Sequence, residues 1–268
     1  MRTISLAVLT ALFLGIASAA RDYDLVKSMP FGCNMQTKWY SGYLKTTSAQ
    51  RALHYVYIES KTKPSTDPVL VWFNGGPGCS SMLGLIQEHG PCVIEDFTDK
   101  VVDNPYPWNM RANVLYLESP GGVGYSFAAT SQDMKYTDHS QSVDTFAALR
   151  DWYEGFPEYI NNPLYITGES YAGIYAPFLA EQIHEWNEEV VASRAYSNSP
   201  RLFYPLAGFI IGNGVTDWRW DGPYSYAEAL YDNGRITKEI FDEYKSLNCE
   251  IWYRDLKTKD NPDRCYDI

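Results

Sequence analysis

Pro163-Leu164-Tyr165-Ile166-Thr167-Gly168-Glu169-Ser170-Tyr171-Ala172-Gly173 reads as a buried strand, a tight turn and the opening of a helix. The apolar run stops at Gly168, and a helical pattern continues from Tyr171 to Val191. A strand-to-helix turn of this kind lifts a serine hydroxyl above a sheet in a strained conformation. The turn is tight and needs small residues on both sides, which Gly168 and Ala172 supply. Ala172 stands where the general Gly-x-Ser-x-Gly pattern has its second glycine, and Gly173 follows. Serine is also an ordinary helix cap, so the motif takes its weight from the strand before it and the helix after it. In that setting Ser170 is a candidate nucleophile. The helix N-terminus adds amide donors and a dipole that favours developing negative charge.

Outward from this turn, other short apolar runs end in similar punctuation. Val69–Phe73 stops at Asn74-Gly75-Gly76-Pro77-Gly78, Asn113–Leu117 stops before Ser119-Pro120-Gly121-Gly122, and Leu206–Ile211 stops at Gly212-Asn213-Gly214. Continuous apolar strands suit a sheet covered on both faces. A helical period between Ser140 and Phe156 separates two of them. Strands alternating with helices predict an α/β fold with a mostly parallel central sheet. Trp39–Leu44 and Leu53–Ser60 alternate instead, which suits an antiparallel pair at the sheet edge. After Asp217 the pattern changes to a loop and polar helical stretches such as Thr237–Leu247.

Asn74-Gly75-Gly76-Pro77-Gly78-Cys79-Ser80-Ser81 lets backbone amides approach a ligand closely. It is not a phosphate loop, since no Gly-Lys-Ser/Thr follows, and no dinucleotide pattern is present. In an α/β-hydrolase one oxyanion donor comes from such a loop and the other is the amide after the nucleophile. Gly76 and Tyr171 fit those roles. Trp72–Ser81, Glu118-Ser119-Pro120-Gly121-Gly122-Val123-Gly124-Tyr125-Ser126, Gly168–Gly173 and Gly212-Asn213-Gly214 occur in that order. Together, from about Trp39 to Asp217, the chain resembles the serine carboxypeptidase family. The resemblance implies an α/β-hydrolase fold, Ser170 as nucleophile and Gly76 and Tyr171 as oxyanion amides. It implies that Asn74, Gly75, Glu88 and Glu169, with Trp72 beside them, bind the free C-terminal carboxylate of a peptide. Two glutamates facing one carboxylate repel unless they hold protons. Such a site is expected to bind peptide acids best at low pH.

A serine hydrolase also needs a base on its serine and an acid behind the base, in this fold in the order Ser, Asp or Glu, His. The chain has four histidines, His54, His89, His139 and His184, and only His184 follows Ser170. Along one helix it lies roughly 20 Å away, so it is expected to be a surface residue. The family places its Asp and His beyond an inserted cap. Residues 20–217 are therefore expected to be the N-terminal part of the core, and 218–268 the beginning of the cap. The chain is expected to be a carboxypeptidase sequence cut short. The alternatives are a short inactive homologue that binds peptides or partners, an acyltransferase, and a general esterase, against which the carboxylate-binding set argues.

The 268 residues carry a net charge of −11, which argues against nucleic acid or an anionic membrane surface as partner. Met1-Arg2, an apolar run to Ile16 and Ala17-Ser18-Ala19 read as a signal peptide over 1–19. No other segment is apolar enough to span a bilayer. The expected destination is the secretory pathway, extracellular or lysosomal/vacuolar. Five cysteines, Cys33, Cys79, Cys92, Cys249 and Cys265, leave at least one unpaired. The resemblance implies that Cys79 bonds to a cysteine further along the family's chain. Cys249 and Cys265 suit a local bridge, and Cys33 and Cys92 are unassigned. Their spacings fit no zinc site, and no metal or cofactor is expected. Preferred residue and oligomeric state are not legible.

Overall fold

The computed structural model describes residues 21–29, 32–95, 97–196, 202–217, 221 and 223–247. The expected leader, Cys249 and Cys265 lie outside them. The chain divides into two compact units between Gly212 and Asn213.

The first unit is built on a seven-stranded sheet. Its strands are β1 (Trp39–Lys45), β2 (Arg51–Ile58), β3 (Val69–Phe73), β6 (Asn113–Leu117), β7 (Phe127–Ala128), β8 (Leu164–Glu169) and β9 (Leu206–Gly212). A separate antiparallel hairpin comprises β4 (Cys92–Ile94) and β5 (Val101–Asp103). The order is β1-β2-β6-β3-β8-β9, with the short β7 on β2. β6, β3, β8 and β9 run parallel, while β1 and β2 are antiparallel additions. The expected mostly parallel α/β core with an antiparallel edge pair is thus present. Every residue of β6 is buried, because both faces are covered.

Alternation along the strands divides the core between those faces. Val71, Phe73, Leu115, Leu117 and Ile166 face the helices α1 (Asp138–Gly155) and α2 (Ala172–Tyr196), where they meet Leu149, Trp152, Tyr153, Tyr175 and Leu179. Trp72, Val114 and Tyr116 point the other way, to Trp39, Val56, Ile58 and Leu85. α1 begins at a capping box, Thr137 accepting from the Ser140 amide and Ser140 from the Thr137 amide, which satisfies two orphan donors of the first turn. The hairpin is tied back by a Cys33–Cys92 disulfide closing a 59-residue separation, a cross-link of about 4 kcal/mol on loop-entropy grounds. This bridge pairs the two cysteines that the sequence left unassigned.

The second unit contains α3 (Pro223–Asp232) and α4 (Lys238–Ser246). Thr237 caps α4, Tyr231 stacks on Phe241 at 4.6 Å, and Ala227 and Tyr244 are buried with Phe241 and Leu247 against them.

Residues 21–25 are bound into the first unit. Arg21 donates to Asp151 Oδ2 at 2.6 Å and to the Tyr43 carbonyl at 3.1 Å, and it reaches Asp24 at 3.4 Å. Asp24 in turn accepts from the Tyr55 hydroxyl at 2.8 Å. Both Arg21 and Asp24 are buried. Removing the guanidinium leaves buried carboxylates short of their counter-ion, at a cost of about 3 kcal/mol. Arg21→Ala is therefore expected to lower the unfolding free energy from urea titration by that amount, whereas Lys38→Ala, at an exposed lysine 3.7 Å from Glu59, is expected to change it by less than about 1 kcal/mol.

Candidate active site around Ser170

Parallel register brings the site together. Phe73 at the end of β3 pairs with Gly168 of β8, so the next residues, Asn74 and Glu169, emerge side by side at the carboxyl ends of the strands. Ligand sites in open α/β sheets form there. The chain then turns at Ser170, whose φ is +58°. A non-glycine residue held in that region costs on the order of 1–3 kcal/mol and is typical of functional turns. The turn is held by the Ser170 amide donating to the Gly212 carbonyl at 3.1 Å and by Gly173 N donating back to Ser170 O at 3.0 Å. A Cβ at Gly168 would lie 2.5 Å from the Ala172 Cβ and 2.6 Å from the Phe73 carbonyl. Glycine before and alanine after the serine are thus steric requirements of one contact.

The glycine loop touches this turn directly. A Cβ on Gly75 would stand 2.8 Å from the Glu169 carbonyl and 2.9 Å from the Ser170 Cβ, and closer still to the Tyr171 amide nitrogen. Gly76 follows at φ +110°. The loop is fixed by Cys79 N donating to Gly75 O at 3.0 Å and by Gly78 N donating to the Tyr175 hydroxyl at 3.2 Å. Tyr175 sits edge-on to Tyr171 at 5.2 Å, and the Tyr171 hydroxyl donates to Asp138 at the start of α1 at 2.9 Å. Loop, Ser170 turn and both helix starts are therefore one connected assembly. Tyr175 and Asp138 were not legible as parts of it.

Asn74 is buried, and all four of its side-chain hydrogen-bonding positions are used. Its Nδ2 donates to Glu88 Oε1 at 3.0 Å and to Glu169 Oε1 at 2.9 Å. Its Oδ1 accepts from the Trp72 indole and from the Gly84 amide, each at 2.9 Å. Glu88 closes a single π-helical turn, Gly84–Glu88, packed so tightly on Trp72 that a Cβ at Gly84 would collide with the indole. Trp72, Asn74, Gly75, Glu88 and Glu169 are thus assembled, next to Ser170 and the Gly76 and Tyr171 amides. Burial pushes the Glu88 carboxyl above its ordinary range, and the charge of Glu169 adds to the push against the Asn74 hydrogen bond. Beneath Glu88, His89 stacks on Trp108 at 4.1 Å and meets Trp72 edge-on at 4.3 Å. Burial holds His89 down at about 4, so it stays neutral beside the carboxyl pair.

Among the described residues no histidine hydrogen-bonds to Ser170. His54 and His89 are buried against other partners, and His139 and His184 are exposed, His184 on α2 as expected. No group of three or more potential metal ligands occurs among the described residues. Cys79 is a free, exposed thiol there. None of the described helices is long and apolar enough to cross a membrane.

A family model for serine carboxypeptidases matches residues 30–267. The chain belongs to the serine carboxypeptidase family. It is 46% identical to the mouse (Mus musculus) lysosomal protective protein over 86% of its length, covering 45% of that relative. It is 35% identical to serine carboxypeptidase-like 20 of Arabidopsis thaliana, all of this chain matching 56% of that one. The crystal structure of a prohormone-processing carboxypeptidase from Saccharomyces cerevisiae superposes with a TM-score of 0.65 at 22% identity, over 86% of this chain and 51% of that one. The fold is that of the α/β-hydrolases. The chain spans about half the length of the curated relatives it matches.

The close approach of the two turns gives a direct check. Gly75→Ala must displace either backbone and is expected to destabilise the first unit by about 1–3 kcal/mol in chemical denaturation. Gly208→Ala, whose Cβ would meet only the Tyr165 ring at 3.9 Å, is expected to be neutral or slightly stabilising.

Proposed function

We propose that the assembly around Asn74 recognises the free C-terminal carboxylate of a peptide and presents the last peptide bond to Ser170, for release of C-terminal residues at acidic pH. The observation that carries this reading is one amide nitrogen, Asn74 Nδ2, holding two carboxyl groups side by side next to a serine in a strained strand-to-helix turn. Family membership supports it, and so does the disulfide, which suits the oxidising secretory or lysosomal compartments.

The chemistry follows from the hydrogen bonds. Asn74 occupies one oxygen of each glutamate and leaves the other to carry a proton. A protonated Glu88 or Glu169 then donates to the incoming carboxylate, whereas two ionised ones repel it. With the substrate's end fixed, the Ser170 hydroxyl attacks the carbonyl of the last peptide bond, and the Gly76 and Tyr171 amides receive the charge on its oxygen. The C–N bond breaks, the C-terminal residue leaves as its amine, and water resolves the acyl-serine. Removing the Ser170 proton requires an imidazole within hydrogen-bond reach, which none of the four histidines provides among the described residues. Carboxylate recognition is therefore separable from acyl transfer and can be measured by itself.

Binding a carboxylate raises the pKa of Glu88 further, so association takes up a proton and weakens as pH rises. Affinity for a peptide acid is expected to fall by up to about tenfold per pH unit above the Glu88 midpoint, as followed by calorimetry. Amidating the peptide C-terminus should abolish binding, and Glu88→Gln should flatten the pH profile. Equal affinity for acid and amide would overturn the proposal.

A further inference from the structure

Away from Ser170 lies the one complete serine–histidine–carboxylate constellation among the described residues. Ser41 on β1 and His54 on β2 share a face of the antiparallel pair, with Ser41 Oγ 3.0 Å from His54 Nε2. His54 Nδ1 is 2.9 Å from Glu118 Oε2, at the end of β6. Nucleophile, base and orienting acid thus stand in the relation that activates a serine hydroxyl. The tautomer follows from the acid. Glu118 has no exposed surface, and burial pushes its carboxyl up. Hydrogen bonds from His54, Ser80 and the Tyr125 amide (2.8 Å) outweigh that and leave it below its ordinary range. An ionised Glu118 only accepts, so the neutral form of His54 carries its proton on Nδ1 and turns the Nε2 lone pair to Ser41. The imidazole is fixed in place. Its edge contacts with Tyr43 and Tyr125 are at 5.6 and 5.4 Å, and the His54 amide donates to Ser126 Oγ at 2.8 Å. Tyr43 and Tyr125 are both exposed, and Ser41 is half-buried, so a small molecule can reach the hydroxyl.

We propose that Ser41, His54 and Glu118 form a second nucleophilic centre, one that takes small activated esters and phosphonyl electrophiles. The Ser41 oxygen attacks the carbonyl carbon or phosphorus and its proton passes to His54 Nε2, the resulting imidazolium being held by Glu118. The bond to the leaving group then breaks and His54 returns the proton to it, giving an acyl- or phosphonyl-Ser41. Electrophiles with good leaving groups need the least stabilisation of the developing negative charge, so the centre is proposed for those alone. It does not depend on the carboxypeptidase reading.

The test is a small fluorophosphonate incubated with the 268-residue protein, followed by peptide mapping. An adduct is expected on Ser41 in the parent and in Ser170→Ala, and none at position 41 in Ser41→Ala. A second arm uses Ser41→Cys. A thiol beside this imidazole is held as thiolate at lower pH, and at pH 6 iodoacetamide is expected to alkylate it at least tenfold faster than Cys79 in the same molecule. An adduct confined to Ser170, no adduct, or alkylation no faster than that of Cys79 would each overturn the proposal. The carboxypeptidase reading stands or falls separately on the acid-against-amide binding measurement, so an adduct on Ser41 alone supports the second centre and leaves that reading untouched.

Discussion

The near-collision of Gly75 with the backbone of Glu169, Ser170 and Tyr171 is the constraint on which the site depends. It is set directly beneath the site, by the parallel register of β3 and β8. Because Phe73 and Gly168 are partners, the two chains leave the sheet at the same height and must turn away from each other within a residue. Only glycine on one side and a left-handed serine on the other satisfy that geometry. Any shift in register would therefore pull Ser170, the Gly76 loop and the carboxyl pair apart together.

Charge is arranged around Ser170 with similar economy. Two glutamates would push each other apart, yet Asn74 is a neutral donor to both and is itself anchored by Trp72 and Gly84. The aromatic floor of Trp72, His89, Trp108 and Tyr116 excludes water below Glu88 and keeps the nearby imidazole uncharged. Among the described residues no ion pair to Lys, Arg or His is recorded for either carboxyl of the pair.

The sequence was most informative where a single local rule operates. Leu164–Thr167 are continuous and apolar because both sheet faces are covered, and Gly168, Ser170 and Ala172 are spaced by one steric demand. The grouping of Trp72, Asn74, Gly75, Glu88 and Glu169 was legible only through resemblance, since nothing in Gln87-Glu88-His89 distinguishes a carboxylate of this cluster from a solvated one. The Cys33–Cys92 bridge was hidden because pairing depends on where the β4–β5 hairpin folds back. His54, Glu118 and Ser80 were hidden for a related reason. They lie 26 to 64 positions apart in the chain and meet through sheet order and a loop, which one-dimensional periodicity does not carry.

The side chain that holds the carboxyl pair is also a chemical liability. Asn74-Gly75 is an asparaginyl-glycine step, in which an unhindered following amide can attack the side-chain carbonyl, expel ammonia and leave aspartate or its isomer. Cyclisation requires the Asn74 side chain to swing toward Gly75 N, and four hydrogen bonds forbid that in the native state. The Asn213-Gly214 and Asn233-Gly234 steps, whose asparagines are exposed, stand outside that network, the latter with one restraint to the Ala229 carbonyl, and will age before Asn74. At Asn74 the same reaction would set a third acid between Glu88 and Glu169, so molecules that linger unfolded accumulate irreversible damage at the residue that joins the two glutamates. Prompt folding is what preserves the amide.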